Sequence, residues 1–101
     1  NIAGGLKISE PAVDMGVAAA IAGSFRNRSV DPHTVMIGEV GLTGEVRSVM
    51  QLEARLTEAE RLGFKKCIVP HSIKGDRLIN KNSALRLVPV KTLSDAFDAV
   101  F

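Results

Sequence analysis

The fold is decided by residues 34 to 49, which read Thr34-Val35-Met36-Ile37-Gly38-Glu39-Val40-Gly41-Leu42-Thr43-Gly44-Glu45-Val46-Arg47-Ser48-Val49. An apolar run opens the stretch, and two glycines then flank a Leu-Thr pair. Residues 45–49 alternate polar and apolar side chains. Strands joined by a short glycine-containing turn are typical of a β-hairpin. The pattern therefore predicts strand, turn and strand, and the hydrophobic period becomes helical directly afterwards.

Helical and extended segments flank the predicted hairpin. A helix is predicted from Pro11 to about Phe25, with Ser9 as its N-cap. Residues 52–62, 66–69 and 84–90 read as helix, strand and strand, and Thr92 caps a final helix. With a strand at Asn1–Gly5, the order β-α-β-β-α-β-β-α predicts one mixed α/β domain, a mixed sheet with packed helices. The first helix carries small residues, which favour close packing against a sheet or a neighbouring subunit, and an apolar stripe of Val13, Val17, Ile21 and Phe25.

Composition narrows the functional classes. The chain has 46% apolar and 24% charged residues, no Trp or Tyr, and a formal net charge of +2. The apolar and charged shares are ordinary for a globular domain. The lack of Trp and Tyr leaves no large aromatic surface for single-stranded bases, and the net charge is too small to indicate a nucleic-acid partner. The lone Cys67 excludes an internal disulfide and is predicted to be buried, which fits a reducing, cytoplasmic location. No apolar run reaches the roughly 18 residues of a membrane span.

Several segments, in order, resemble the Lon-type proteolytic domain. Residues 38–49 are similar to the paired strands at the core of that domain, and the helix from Pro11 is similar to its nucleophile-bearing helix. Residues 61–70, which end in Cys67-Ile68-Val69-Pro70, are similar to another of its segments. Within this superfamily, residues 4–14 and 38–47 look most like the C-terminal Lon-like domain of the bacterial RadA/Sms DNA-repair family. The resemblance covers nearly the whole chain.

The resemblance implies a fold and a biological setting. It implies a Lon proteolytic-domain-like (ribosomal S5 domain 2-like) fold for residues 1–101. Because the chain opens without Met on Asn1–Gly5, we expect a fragment of a longer protein that lacks its N-terminal strands. The family relationship implies a homohexameric ring that contacts DNA in repair and recombination, with ATP, Mg and Zn used by other domains. No cofactor or metal is expected in this domain, since it has no phosphate-binding loop and its two His lack neighbouring metal ligands.

The protease chemistry of the Lon family is not expected here. The catalytic Ser of that family follows a Pro at the start of the helix, and the matching residue is Ala12, which has no hydroxyl. The catalytic Lys lies four residues after the Val that closes the second strand, and the matching residue is Glu53. A hydroxyl often found before the Gly-Glu pair is replaced by Ile37. We therefore predict that the Ser–Lys dyad is absent and that the domain is not an enzyme.

Other side chains could in principle substitute for the dyad. Ser9 with Lys7 could supply a hydroxyl and an amine, but an N-cap and a solvated Lys explain both residues. Asp14 and Glu53 could form a carboxylate pair for acid–base chemistry or a metal. A carboxylate in the first turn of a helix is, however, already stabilised by the helix dipole.

The segment from Lys65 to Lys81 is rich in basic residues. It has two interpretations, a solvated basic edge or a rim that contacts phosphates. Within it, Lys74, Arg77 and Lys81 lie in an irregular stretch at spacings of three and four, so that one helical turn would align them on one face. These three residues are the candidate nucleic-acid-binding residues.

Three hypotheses follow. The first is a non-proteolytic Lon-like domain of a RadA/Sms-type ATPase that serves oligomer assembly and DNA contact. The second is a divergent Lon-like serine peptidase with a relocated nucleophile. The third is the Lon-like domain of a magnesium-chelatase-like ATPase, which the sequence upstream of Asn1 would distinguish from the first.

Overall fold

Three α-helices and five strands are present in residues 10–71 and 84–101, the part of the chain that this computed structural model describes. Strands β1, β4 and β5, bounded below, form a parallel sheet in the order β1-β4-β5, and β2 and β3 form an antiparallel pair. This arrangement confirms the predicted mixed α/β class. In chain order the elements are a 3-10 turn (Pro11–Val13), α1 (Asp14–Arg26), β1 (Thr34–Met36), β2 (Glu39–Val40), β3 (Val46–Arg47), α2 (Leu52–Arg61), β4 (Lys66–Pro70), β5 (Arg86–Val90) and α3 (Leu93–Val100).

The stretch that decides the fold forms two structures instead of one hairpin. Residues Thr34–Met36 pair in parallel with β4, so the prediction that they form the first strand of the hairpin is wrong. The hairpin is shorter and pairs only β2 with β3. Gly38 separates the two structures, and a Cβ at this position would lie 2.9 Å from Cγ1 of Val46. The partner of β1 lies far downstream, so the local pattern carried no signal for it.

The sequence signals for the helix ends are confirmed in part. Pro11 occupies the first turn, and the N-cap predicted at Ser9 lies outside the described residues. Helix α2 ends at Arg61 and is followed by Gly63 at φ +94°, a conformation that favours glycine. Helix α3 begins as predicted, because Oγ1 of Thr92 accepts a hydrogen bond from the N–H of Asp95 at 3.1 Å.

Two apolar clusters fill the core. Cys67 and Val69 of β4 belong to one cluster with Leu56 of α2, and Ile68 of the same strand belongs to the other cluster with Met15 of α1. Because successive side chains of a strand point to opposite faces, the clusters lie on the two sides of the main sheet. The second cluster also contains Ala96 of α3. Cys67 is fully buried, as predicted, and burial raises the pKa of its thiol to about 12.

Helix α1 packs against the sheet through the face that carries its small residues, one of the two arrangements that the sequence predicts. Its buried residues are Met15, Ala19 and Gly23, so its small face lies against the sheet and α3. The predicted apolar stripe faces away from the core. The exposed fractions of its residues are 39% for Val13, 50% for Val17, 56% for Ile21 and 89% for Phe25.

One side-chain and one backbone hydrogen bond attach the β2–β3 hairpin to helices α1 and α3. A carboxylate oxygen of Asp14 in α1 accepts from the N–H of Val40 at 3.2 Å. On the other side, the N–H of Leu93 in α3 donates to the carbonyl of Gly44 at 2.8 Å. The hairpin therefore fixes the starts of α1 and α3 relative to one another.

Candidate functional site

Three positions were compared with the Lon-type site. Ala12 lies in the 3-10 turn before α1, Ile37 follows β1, and Glu53 is in the first turn of α2. Ala12 and Ile37 are both buried, with exposed fractions of 4% and 8%, and belong to the same apolar cluster. The N–H of Gly38 donates to the carbonyl of Ala12 at 3.0 Å, which holds the beginning of the helix against the end of β1. Val49 and Leu52 pack against this cluster.

The side chains gathered around Ala12 are chemically inert. The cluster that holds Ala12 and Ile37 offers methyl and methylene groups together with one fully buried thiol, that of Cys67. Because burial raises the pKa of that thiol to about 12, it stays protonated near neutral pH. Glu53, at the position of the Lon-type lysine, is exposed on the first turn of α2.

The two carboxylates weighed as an acid–base pair are held by different contacts. Asp14 accepts the hydrogen bond from Val40, while Glu53 lies on the exposed surface of α2. In residues 10–71 and 84–101, no group of three or more His, Cys, Asp and Glu side chains is arranged to hold a metal ion. Ser9 and Lys7, the other weighed pair, lie outside the described residues.

Both histidines lie at the ends of strands. Asp31 accepts a hydrogen bond from the backbone N–H of His33 at 2.7 Å, and its carboxylate lies 3.3 Å from the imidazole Nδ1. The backbone hydrogen bond from His33 lowers the pKa of Asp31. These contacts shape the turn that leads into β1. His71 is exposed directly after β4.

The candidate nucleic-acid-binding residues Lys74, Arg77 and Lys81 lie outside the described residues.

Three basic residues of the described part, two near the end of α1 and one in β4, have structural partners. Arg28 donates to the carbonyl of Phe101 at 2.7 Å, and the guanidinium of Arg26 lies 5.3 Å from the ring centroids of Phe97 and Phe101. Lys66 donates to the carbonyl of Ala99 at 2.9 Å. These cations therefore tie α1 and β4 to α3.

The hairpin loop holds an acidic side chain whose pKa is strongly lowered. The carboxylate of Glu45 accepts from the Thr43 hydroxyl at 2.5 Å and from Nε and Nη2 of Arg47 at 3.1 and 2.8 Å. The hydrogen bond from the Thr43 hydroxyl is the largest cause that lowers the pKa of Glu45, and the hydrogen bonds from the Arg47 guanidinium are the next largest. The pKa of this carboxyl is lowered to about 2. Leu42, at the tip of the same loop, is fully exposed.

The sequence left open whether the outer face of α1 is covered by this domain. Val17, Ile21 and Phe25 form an exposed apolar row along a helix whose other side is buried in the core. Contiguous exposed apolar side chains mark interaction surfaces more often than free surface. The signal was present in the sequence, since one helix carried both a row of large apolar residues and a row of small ones. Only the structure shows which of the two rows faces the core.

These observations define a small mixed α/β domain whose dyad-like positions are apolar or exposed and whose first helix presents an apolar face. The family described as subunit ChlI of Mg-chelatase matches residues 1–73. The chain belongs to this family. Within the described residues, no helix is both long and apolar enough to cross a membrane.

The chain is also similar to the DNA repair protein RadA of several bacteria. It is 47% identical over 98 residues to RadA of Halalkalibacterium halodurans, which is 97% of this chain and 21% of that protein. The identity to RadA of Synechocystis sp. is 51% over 90 residues, 89% of this chain and 17% of the relative. For RadA of Streptococcus pyogenes serotype M3 it is 41% over 100 residues, 98% of this chain and 21% of the relative. The chain thus spans about a fifth of the length of these relatives, and nearly all of it resembles one part of RadA.

Proposed function

We propose that the chain is a non-proteolytic Lon-like domain of a RadA/Sms-type DNA repair and recombination ATPase, in which it serves oligomer assembly and DNA contact. The observation that carries the proposal is the similarity to RadA proteins over 97% of this chain. The Lon-like, ribosomal S5 domain 2-like fold is part of the proposal. It is supported by the resemblance of residues 38–49 to the paired strands of Lon-type domains and by the hairpin that these residues form.

The proposal assigns no catalysis to this domain. In support, Ala12 and Ile37 are packed in an apolar cluster, and Glu53 replaces the required amine on an exposed helix turn. A Ser–Lys dyad needs a serine hydroxyl within hydrogen-bond reach of a lysine amine, and these positions supply neither group. ATP hydrolysis, with its Mg and a structural Zn, is assigned to other domains of the full-length protein.

For assembly we propose that the outer face of α1 contacts a second copy in a homohexameric ring. Support comes from the exposed Val17, Ile21 and Phe25, which a neighbouring subunit would remove from water. Ile21→Lys in the full-length protein should lower the mass measured by light scattering, because a charge buried at a subunit contact is costly. Thr57→Lys, on the exposed polar surface of α2, is the matched control. An unchanged mass for Ile21→Lys would remove this helix from the interface.

For DNA contact we propose that Lys74, Arg77 and Lys81 touch phosphates in the assembled ring. Weak contacts of this kind are multiplied when many copies bind one duplex. Reversing all three charges in the full-length protein should weaken DNA binding and flatten its salt dependence, measured by fluorescence anisotropy of labelled DNA. ATP hydrolysis without DNA should stay near wild type. Glu at the exposed positions Ser24, Thr57 and Ser94 controls for added negative charge.

Two alternative functions make different predictions. A divergent Lon-like serine peptidase would cleave casein, and turnover that is lost with a serine-reactive phosphonate and in Ser9→Ala would replace the first proposal. A magnesium-chelatase-like ATPase is favoured by the family match to residues 1–73. The preceding sequence separates this reading from the first, because a four-cysteine zinc motif and a recombinase-type ATPase core would identify the RadA/Sms type.

A further inference from the structure

The exposed apolar row of α1, extended by Val13 at the N-cap of this helix, is evenly spaced. Val13, Val17, Ile21 and Phe25 follow one another at intervals of four residues. Residues four apart are neighbours on a helix surface and form one of the ridges through which helices pack. When a second copy of the helix runs antiparallel and its Ile21 faces Val17, its Phe25 also faces Val13. The row is therefore complementary to itself, which is what a two-fold contact requires.

A groove beside α1 can receive the largest side chain of this row. It lies between the start of α1 and β2, has a volume of about 660 Å³, and is lined by Val13, Asp14, Val17, Glu39 and Val40, among others. In the antiparallel arrangement Phe25 of the second copy faces Val13, so its ring would enter this groove. The ring is 89% exposed in the single chain, and the contact would remove it from water.

The two ends of α1 carry opposite charges. Asp14 in the first turn and Glu39 line the groove at the start of the helix, whereas Arg26 ends the helix and Arg28 follows it. Arg26 lies against two aromatic rings and Arg28 donates to a backbone carbonyl. Neither forms an ion pair with a carboxylate in residues 10–71 and 84–101.

This charge distribution favours one direction of packing. An antiparallel copy places the basic end of each helix beside the acidic start of the other, and the two helix dipoles are then opposed as well. A parallel copy would bring like charges together at both ends. Charge and apolar spacing therefore favour the same arrangement.

We infer that α1 packs against α1 of a second copy, antiparallel and about a two-fold axis, with Phe25 of each copy in the groove beside Val13 of the other. The inference rests on the proposed role of α1 in assembly and adds the partner segment and its direction. A two-fold contact joins copies in pairs, so six copies are three such pairs joined through another surface.

Mixing two charged variants of the full-length protein tests which residues face each other. Val17→Glu and Ile21→Arg should each lower the mass measured by light scattering, because each places a charge in an apolar contact. In an equimolar mixture the introduced carboxylate of one variant faces the introduced guanidinium of the other, so the mass should return to the wild-type value. Val17→Glu mixed with Ile21→Glu is the matched control and should stay at low mass.

The outcomes of this mixing separate the inference from the proposed function. Low mass in both mixtures, after a loss in each single variant, would overturn the inference and leave α1 in a subunit contact of another geometry. Wild-type mass for Val17→Glu and Ile21→Arg alone would remove α1 from assembly and would overturn both.

Cross-linking tests the two-fold axis. In the antiparallel pair the two copies of position 13 lie about 18 Å apart along the helix axis, and so do the two copies of position 25. With a bismaleimide shorter than this separation, full-length Val13→Cys and Phe25→Cys should each give no product beyond that of the wild type, which corrects for native cysteines. The double variant should give covalent dimers and no larger species. A ladder of trimers and larger products would indicate a head-to-tail contact, dimers of either single variant would indicate parallel helices, and no product from the double variant would exclude the pairing of Val13 with Phe25. Each of these three results would overturn the inference.

Discussion

Helices α1 and α3 pack on the same side of the sheet but bury opposite kinds of side chain. Helix α3 turns its large residues inward, and Leu93 and Phe97 pack against the cluster around Ala96. Helix α1 buries Met15 and small residues, and it leaves Phe25 89% exposed. Apolar periodicity therefore does not by itself show which face of a helix lies in the core of the domain.

The small face of α1 explains how the two helices meet. A Cβ on Gly23 would lie 2.5 Å from the carbonyl oxygen of Arg28 and 3.4 Å from the ring of Phe101. Glycine is therefore required by the backbone that turns back onto the end of α1 at Arg28, while the contact with the Phe101 ring is ordinary. The Phe97 and Phe101 rings stack edge to face at a centroid distance of 5.7 Å beneath Arg26.

The largest effect is expected from the buried residue of α1. Met15 is fully buried, so Met15→Ala should lower the free energy of unfolding by about 2–5 kcal/mol through lost burial and a cavity. Ile21→Ala, on the exposed face of the same helix, should change it by less than about 0.5 kcal/mol in the isolated domain. Urea denaturation followed by circular dichroism measures both. Equal costs for the two variants would mean that the two faces of α1 are not distinct.

A second pair of variants compares the aromatic residues of the two helices. Phe97→Ala should cost about 1–3 kcal/mol, because it removes a half-buried ring, an aromatic pair and a cation–π contact. Phe25→Ala should be near neutral in the domain alone and should weaken association of the full-length protein. Denaturation and light scattering separate the two effects. A large stability loss for Phe25→Ala in the domain would contradict its exposed position.

The sequence predicted α3 and α2 well because their signals are local. The Thr92 cap lies three residues from its partner Asp95, and Gly63 ends α2 through its own backbone conformation. The partner of β1 and the orientation of α1 were not predictable in the same way. Both depend on contacts between segments distant in the chain, and the Thr34–Ile37 run had the same apolar character that a hairpin strand would have.

The candidate site was predicted unevenly for the same reason. Ala12, Ile37 and Glu53 were found by resemblance, and their side-chain chemistry follows from residue identity alone. That Ala12 and Ile37 share one buried cluster required the structure, because it depends on how α1 meets the end of β1. The apolar groove that α1 and β1 form with Phe64 could not be predicted, since its walls come from elements that are distant in sequence.

Two glycines of α1 provide a finer test of close approach. Gly23→Ala should lower stability by about 1–3 kcal/mol, because its Cβ would meet the backbone of Arg28 at 2.5 Å. At Gly16 the nearest atom to a Cβ is the Met36 carbonyl oxygen at 3.8 Å, an ordinary contact. Gly16→Ala should therefore raise stability by about 0.5–1 kcal/mol through helix propensity. Thermal unfolding of both variants checks the difference, and a stabilising Gly23→Ala would contradict the close approach of the Arg28 carbonyl to the end of α1.

The smallest effect concerns Glu45, which shapes the hairpin loop that bonds to the start of α3. The contacts with Thr43 and Arg47 lower the pKa of its carboxyl from an ordinary 4.5 to about 2 in the folded protein. Between these values the unfolded chain binds more protons than the folded one, so stability rises with pH. The contribution of Glu45 is fully present above about pH 4.5 and is lost as the pH falls through about 2.

Glu45→Gln should remove this part of the acid sensitivity, measured as the free energy of unfolding in urea at pH 5 and at about pH 2.5. Glu53→Gln, on the exposed first turn of α2, is the matched control, since it removes a carboxylate on a different element from the hairpin. An acid response of Glu45→Gln identical to wild type would show that the loop does not hold its carboxylate in the folded protein. The β3–α3 junction would then depend on its backbone hydrogen bonds alone.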